Sequence, residues 1–196
     1  MKKSFTLLCV GLALAGSLAA GTITENPLAP SQATATDIAL GQSVTTPSGG
    51  PWTDLTFNLL RSTNTPYAIG DLYLLTQAYS GSPSGLSSSV AGFVASTSTI
   101  SGGLWVFDPS VSVDGSTQYF LYMDTTFGDN VAMKYSGNTY SGGDAYATSS
   151  GNYGVRSFDL TFNFSGTEAS AAPEPGTALL MSAIALTAFG VRRIRK

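Results

Sequence analysis

Apolar and polar side chains alternate along much of the chain between residues 37 and 165, which is the pattern of a β-strand with one buried face. The clearest run lies near the end of this region, with Phe158, Leu160, Phe162 and Phe164 on one face and Asp159, Thr161 and Asn163 on the other. Shorter runs with the same period surround Leu55, Leu72, Trp105 and Tyr119. We therefore predict strands that direct their apolar faces into a common core.

Turn-forming residues divide these runs into about eight short strands, spaced roughly 8–15 residues apart. The turn signals are pairs rich in Gly, Asp, Asn and Pro, at positions 70–71, 102–103, 108–109, 114–115 and 137–138. The pair Asp114-Gly115 is a strong signal for a hairpin. This spacing predicts an all-β fold, an antiparallel β-sandwich or jelly roll. No long amphipathic helix is predicted before residue 177.

Residues 1–19 have the pattern of a secretory signal peptide. A pair of lysines near the start is followed by an apolar helix over residues 5–15. Small residues then lead to a cleavage site after Ala19, with Ala20 as the alternative. The one cysteine of the chain, Cys9, falls inside this segment. The exported body is therefore expected to fold without disulfides.

A second apolar segment, residues 177–191, is followed by four basic residues within the last five positions. As a helix this segment is about 22 Å long, somewhat less than the ~30 Å of a hydrocarbon core. Arginine side chains that reach the far interface compensate for the difference. We predict a single transmembrane helix whose basic end stays in the cytoplasm.

The end of the chain resembles the bacterial PEP-CTERM sorting signal. Pro173, Glu174 and Pro175 precede the apolar segment, and Arg192 and Arg193 follow it. The resemblance implies that an exosortase, a membrane transpeptidase-like enzyme, cuts the chain near the Pro-Glu-Pro tripeptide. It also implies that the body is delivered to the cell surface or to exopolysaccharide.

The body is loosely similar to bacterial surface domains called choice-of-anchor domains, which recur with different C-terminal anchors. The similarity rests on the order of short segments at residues 41–44, 51–53, 115–120, 143–146 and 156–162. It implies a β-sandwich and supplies no catalytic residue.

These features divide the chain into five parts. They are a signal peptide at 1–19, a loose leader at 20–36 with an edge strand near 22–25, a β-sandwich domain at 37–165, a flexible linker at 166–172 and the sorting and anchor segment at 173–196. A domain of roughly 130 residues buries about two thirds of the surface of its unfolded chain, which is enough for an independent core.

The body is strongly acidic. Between residues 20 and 172, three basic residues stand against eleven acidic ones, a net charge of −8. Nucleic-acid binding needs a basic surface, so nucleic acid is not an expected partner. The expected partners are the membrane, the exosortase and exopolysaccharide.

The chain offers few groups for catalysis. It contains no histidine, and the exported body contains no cysteine, so a serine nucleophile lacks its usual base. A Ser–Lys pair would have to use Lys134, and a glycosidase pair could use Asp124 and Asp129, but no motif supports either. We expect a structural or adhesive protein without enzymatic activity, and an Asp-based enzyme acting on an extracellular polymer is the less favoured alternative.

Calcium binding is a further possibility. Oxygen ligands near loops are offered by Asp114, Asp124, Asp129, Asn130 and Asp144. No stretch matches a calcium-loop motif, and these residue types commonly form turns. The sequence therefore favours turn formation and predicts no required cofactor.

Carbohydrate binding is the main alternative to a structural role. All nine tyrosines lie between Tyr67 and Tyr153. Tyr140, Tyr146 and Tyr153 lie in a Gly/Ser-rich segment with a weak strand pattern, where we expect them to be exposed. Exposed rings on a β-sandwich can stack on sugars, whereas the alternative role of these rings is packing.

Overall fold

The computed structural model of the protein describes residues 20–27, 31–128 and 131–169, and these residues form antiparallel β-sheets. The prediction of an all-β, antiparallel fold is confirmed. The predicted helices of the signal peptide and of residues 177–191 lie outside the described residues.

The described residues contain fifteen strands and one short 3₁₀ helix. The strands are β1 (Gly21–Asn26), β2 (Ser31–Ala35), β3 (Leu40–Thr45), β4 (Trp52–Leu60), β5 (Pro66–Tyr67), β6 (Leu72–Leu75), β7 (Phe93–Ser96), β8 (Thr99–Ser101), β9 (Leu104–Val106), β10 (Gln118–Met123), β11 (Val131–Gly137), β12 (Ala145–Ser149), β13 (Asn152–Val155), β14 (Phe158–Leu160) and β15 (Phe162–Glu168). The helix is Pro83–Gly85.

The strands form three sheets. The first has the order β8-β9-β4-β15-β1, with β5 also paired to β4. The second has the order β13-β12-β3-β10-β6-β7, and the third has the order β14-β11-β2. Chain neighbours are often not sheet neighbours, so most of the pairing joins distant parts of the sequence.

One continuous hydrophobic cluster joins all three sheets. In the first sheet Phe57 packs against Trp105, Phe162 and Phe164, with ring centroids 5.6–6.2 Å apart. These four side chains are at most 1% exposed. Complete burial of a large apolar side chain contributes about 1.5–3 kcal/mol, so this group is a main source of stability in a body without disulfides.

The third sheet adjoins the first at Thr161, the residue that separates β14 from β15. The N–H of Thr161 donates to the carbonyl of Lys134, and the carbonyl of Thr161 accepts from the N–H of Leu60. The side chain of Gln42 in β3 ties the second sheet to this region, since its Oε1 accepts from the N–H of Leu160 at 3.2 Å. The result is a sandwich-like body that is open between β2 and β12.

Sheet structure extends beyond residues 37–165 at both ends. The segment expected as a loose leader contributes β1, which pairs with β15, and β2, which pairs with β11. At the other end β15 continues through Glu168, where it pairs with Trp52. Strand β1 buries Ile23 and Asn26, and β2 buries Ala35, so both strands belong to the packed body.

The Asp114-Gly115 turn joins two sheets and does not close a hairpin. Before the turn, Val113 is bridged to Trp52 in the first sheet. After it, Gln118 pairs with Thr45 in the second sheet. The hairpin prediction is wrong because both flanking segments find closer partners elsewhere.

Candidate functional site

Tyr146 and Tyr153 lie in a buried aromatic cluster and have only 6% and 4% of their surface exposed. Tyr122 lies between them, with ring centroids 5.1 and 4.8 Å away in edge-to-face contact. Tyr79 covers this cluster from a loop, and its ring packs against both Tyr122 and Tyr153. The prediction that Tyr146 and Tyr153 are exposed is wrong, and neither ring is accessible to a sugar.

Hydrogen bonds fix the hydroxyl groups of this cluster. The hydroxyl of Tyr153 donates to the carbonyl of Met123, and the hydroxyl of Tyr122 accepts from the N–H of Tyr79. Burial raises the pKa of Tyr122, Tyr146 and Tyr153 above the ordinary tyrosine value. These groups act as core residues.

Tyr140 lies elsewhere, beside a polar cleft of about 400 Å³. We use the name polar cleft for the space lined by Thr45, Gln118, Asn138, Thr139, Tyr140, Ser141, Gly142, Gly143 and Asp144. The lining is made of hydroxyl, amide and backbone groups with one carboxylate. Most of it comes from the loop between β11 and β12, and the rest comes from the ends of β3 and β10.

Asp159 holds in place the loop between β11 and β12, which we call the cleft loop. Its side chain is completely buried in β14, and its Oδ2 accepts from the N–H groups of Thr139 at 2.8 Å and Tyr140 at 2.7 Å. The sequence pattern placed Asp159 and Thr161 opposite the apolar face, and we expected that face to be polar. Both residues are instead buried, because the cleft loop and the third sheet cover this face.

The far side of the loop is tied to β3. The hydroxyl of Thr45 donates to the carbonyl of Gly142 at 2.7 Å, and the N–H of Asp144 donates to Ser43 Oγ at 2.8 Å. The N–H of Ser43 donates in turn to the carbonyl of Asp144 at 2.9 Å. The cleft is therefore held at both ends before any ligand binds.

The ring of Tyr140 is half-buried and packs edge-on against Phe162, with centroids 5.1 Å apart. Its hydroxyl shares a 2.9 Å hydrogen bond with Thr24 Oγ1. Burial is the main cause that raises the pKa of Tyr140. Tyr140 can therefore contribute an edge of the cleft, while its hydroxyl is committed to β1.

The polar cleft suits a ligand rich in hydroxyl groups, since amides, hydroxyls and carboxylates both donate and accept hydrogen bonds. Two residues singled out from the sequence, Tyr140 and Asp144, meet here. Sequence reasoning missed Thr45, Gln118 and the anchor Asp159. Only the pairing of β3 with β10 and the burial of β14 bring these three to the loop, and no local signal marks them.

Asp124, one member of the predicted glycosidase pair, lies close to the carboxylate of Asp71. Burial and then the charge of Asp124 raise the pKa of Asp71. Asp124 Oδ1 accepts from the N–H of Asp71 at 2.9 Å and from the hydroxyl of Thr125 at 2.8 Å, so it caps a turn. Asp129, the other member of the predicted glycosidase pair, lies outside the described residues.

The predicted calcium ligands are described in part. Asp144 lines the polar cleft, Asp124 caps its turn, and Asp114 uses its backbone to bond Thr46 and Tyr119. Across residues 20–27, 31–128 and 131–169, no three Asp, Glu, His or Cys side chains come together in a possible metal site. Asn130, like Asp129, is not among these residues.

Lys134, considered for a Ser–Lys pair, contacts an amide. Its Nζ donates to the side-chain oxygen of Asn64, and the residue also lines an apolar groove between the second and third sheets.

The sorting residues Pro173, Glu174, Pro175, Arg192 and Arg193, together with Ala19, lie outside the described residues. Within the described ranges no helix has the length and hydropathy that a membrane crossing requires.

No family model, curated protein or solved structure matches this chain.

Proposed function

We propose that this chain is an exported bacterial surface or matrix protein whose C-terminal segment is a sorting signal for an exosortase. The body is a structural or adhesive β-sandwich that performs no catalysis. One observation carries the proposal: a Pro-Glu-Pro tripeptide at 173–175 is followed directly by the apolar run 177–191 and the basic end.

The order of these three parts has a physical rationale. Two prolines favour an extended backbone that is open to an enzyme, and they stop the helix from extending toward the body. The apolar run, as a transmembrane helix, holds that peptide close to the bilayer surface, and the basic end keeps the helix from being pulled through. A removed lipid-attachment tail uses the same arrangement.

The composition of the body supports a role outside the cell. The chain from residue 10 onward contains no cysteine, so its stability does not depend on the redox conditions of a compartment. Its net charge of −8 between residues 20 and 172 favours solubility and disfavours non-specific binding to anionic polymers. After removal of the signal peptide at Ala19, the body would fold outside the cytoplasm.

Intact mass spectrometry of the exported protein tests the proposal. In a host with an exosortase, we expect a surface or secreted form that lacks residues 1–19 and ends near 173–175. The double variant Pro173→Ala, Pro175→Ala should keep its tail and stay in the membrane fraction. Pro109→Ala, the same change at an exposed turn of the body, should be processed normally. An exported form that still ends at Lys196 would contradict the proposal.

The polar cleft favours a second candidate function, an extracellular carbohydrate-binding module. The supporting observation is a preformed cleft of about 400 Å³ lined almost entirely by polar groups. Binding here would rest on hydrogen bonds to sugar hydroxyls, because Tyr146 and Tyr153 are buried.

A glycan array that includes the exopolysaccharide of the host tests this second function. Gln118 and Asn138 line the cleft and are exposed, so Gln118→Ala and Asn138→Ala should leave the fold intact. We expect each variant to weaken a positive signal about fivefold to tenfold, the usual cost of an unpaired polar contact. Gln77→Ala, an exposed control away from the cleft, should bind like the parent. An array without signals would reject the function.

A further inference from the structure

A second cavity, distinct from the polar cleft, opens where the second and third sheets diverge. We call it the apolar groove, and its volume is about 320 Å³. Its walls come from β2 and β11 on one side and from β3 and β12 on the other, and residues near β14 close one end. Apolar side chains dominate its lining: Ala33, Ala35, Ile38, Leu40, Met133, Ala147, Phe158 and Leu160.

The groove is preformed. Gln42 bonds the backbone of Leu160 and so fixes the distance between β3 and β14. Arg156 is fixed beside β12, since its N–H donates to the carbonyl of Ala145 and its Nη2 donates to the carbonyls of Ala147 at 2.9 Å and Thr148 at 3.1 Å. Small-molecule sites are commonly of this kind, a largely apolar and preformed cavity with a few polar groups.

The charges around the groove are unusual for this body. Residues 20–172 contain three basic side chains, and two of them, Lys134 and Arg156, line the groove. Among residues 20–27, 31–128 and 131–169, no acidic side chain lines it. The third basic residue, Arg61, lies over the ring of Tyr67, 4.5 Å from its centroid. In an acidic protein, a site lined by two basic side chains is electrostatically more favourable for an anion than the rest of the surface.

Both cations contact uncharged partners. Lys134 Nζ donates to the amide oxygen of Asn64, and the bonds of Arg156 to the two carbonyls involve Nη2. A guanidinium carries five N–H donors, so Arg156 keeps donors for a further acceptor. Neither charge is neutralised by these contacts.

We propose that the apolar groove binds a small anionic amphiphile, a medium-chain fatty carboxylate. The hydrocarbon chain lies between the two sheets, and the carboxylate is held by Lys134 and Arg156. At ~30 Å³ per water-sized group, the cavity accommodates about ten non-hydrogen atoms, which is the size of octanoate. This site is independent of the sorting signal and of the polar cleft.

Isothermal titration of the full chain in lipid nanodiscs with octanoate tests the proposal, with empty nanodiscs as the reference for partition into lipid. We expect saturable binding of octanoate, and much weaker binding of octanol and octylammonium, which lack the negative charge. Lys134→Gln and Arg156→Gln should each weaken octanoate binding about fivefold. Arg61→Gln, which removes the basic residue outside the groove, should bind like the parent.

A second pair of variants tests the apolar part. Ala33 lines the groove and is exposed, so Ala33→Phe should fill the groove and reduce octanoate binding at least tenfold without unfolding the body. Ala78→Phe, at an exposed position outside the groove, is its control. Circular dichroism shows whether each variant is folded. If Arg156→Gln does not fold, the binding of octanoate to Lys134→Gln alone tests the role of the basic side chains. No saturable binding above empty nanodiscs, equal loss in Arg61→Gln, or equal affinity for octanol would overturn the proposal.

Discussion

At the scale of single residues, Asp159 shows how one buried carboxylate organises a surface loop. Burying a carboxylate is costly unless hydrogen bonds compensate for the lost water. Here Oδ2 accepts two backbone N–H groups of the cleft loop, and Oδ1 has no partner among the described residues. The two bonds to the loop therefore offset the cost of burial and hold Tyr140 at the edge of the polar cleft.

We expect Asp159→Ala to lower the free energy of unfolding by about 3 kcal/mol. The change leaves two partly buried N–H groups without an acceptor, and a bond to a charged group contributes about 1.5–3 kcal/mol. Asp159→Asn, which retains an acceptor oxygen, should lose less. Denaturant unfolding measures both changes. Asp71→Ala, at an exposed aspartate, should keep the free energy of unfolding within about 0.5 kcal/mol of the parent. If Asp159→Ala lowered the free energy of unfolding no more than Asp71→Ala does, the anchoring role of Asp159 would be contradicted.

Gly41 allows the ring of Tyr122 to lie directly against strand β3. A Cβ at this position would come within 2.5 Å of Tyr122 Cδ1 and 2.8 Å of the carbonyl of Leu121. We therefore expect Gly41→Ala to destabilise the protein by about 1–3 kcal/mol, the usual cost of overpacking. A Cβ at Gly154, in strand β13, would meet nothing within 4 Å, so Gly154→Ala should be nearly neutral. Thermal melts of the two variants measure the difference.

At the scale of elements, β1 shows that the segment ahead of residue 37 is part of the body. Ile23 in β1 is 6% exposed, and the side-chain amide of Asn26 donates to the carbonyl of Leu160 at 2.8 Å. The strand thus covers the edge of β15 and adds to the core. An uncovered β15 would present unpaired backbone groups to other chains.

We expect Ile23→Ala to reduce the free energy of unfolding by about 2–4 kcal/mol, because it removes buried methyl groups and leaves a cavity. Thr22→Ala, at the exposed neighbouring position, should change it by no more than about 0.5 kcal/mol. Urea unfolding followed by tryptophan fluorescence provides the comparison. Equal stability of the two variants would mean that β1 is not packed in solution.

At the scale of the whole molecule, the tyrosine cluster couples folding to alkaline pH. Burial raises the pKa of Tyr122, Tyr146 and Tyr153 in the folded state, while the unfolded chain retains the ordinary value of about 10. A raised pKa in the folded state means that the unfolded state loses protons first. The associated stability is therefore fully present below about pH 10 and decreases as the pH rises above it.

We expect the thermal midpoint to be insensitive to a rise in pH up to about pH 10 and to fall steeply above it. The part of the tyrosinate absorbance that comes from the buried cluster should increase together with unfolding, because these hydroxyls ionise only when the cluster opens. In Tyr153→Phe one of these groups is absent, so the decrease with pH should be shallower. Tyr135→Phe, outside the cluster, is the control. Tyrosinate formation by these buried groups in a fully folded protein would contradict the coupling.

The sequence pattern predicted the strand class well because alternation is a local property. The run from Phe158 to Phe164 does form β14 and β15, with its apolar residues inward. The same pattern could not show that Asp159 and Thr161 are also buried. A period of two separates two faces, and a distant loop decides whether the second face meets water.

The candidate sites were less predictable than the strands. Tyr153 lies among glycines and serines, which suggested exposure, yet Tyr79 reaches across from another part of the chain to cover it. The polar cleft combines Gln118 with Asn138, and the apolar groove combines Lys134 with Arg156. Such combinations depend on which strands become neighbours, and composition does not encode that.

The sequence alone determined the all-β class, the acidic and cysteine-free body and the character of the two apolar ends, because each depends on neighbouring residues or on composition. Tertiary structure decided which tyrosines are buried, which segments join the sheets and where the two cavities open. The physical reason is that burial and cavity shape arise from contacts between residues far apart in the chain, and those contacts exist only after the sheets have assembled.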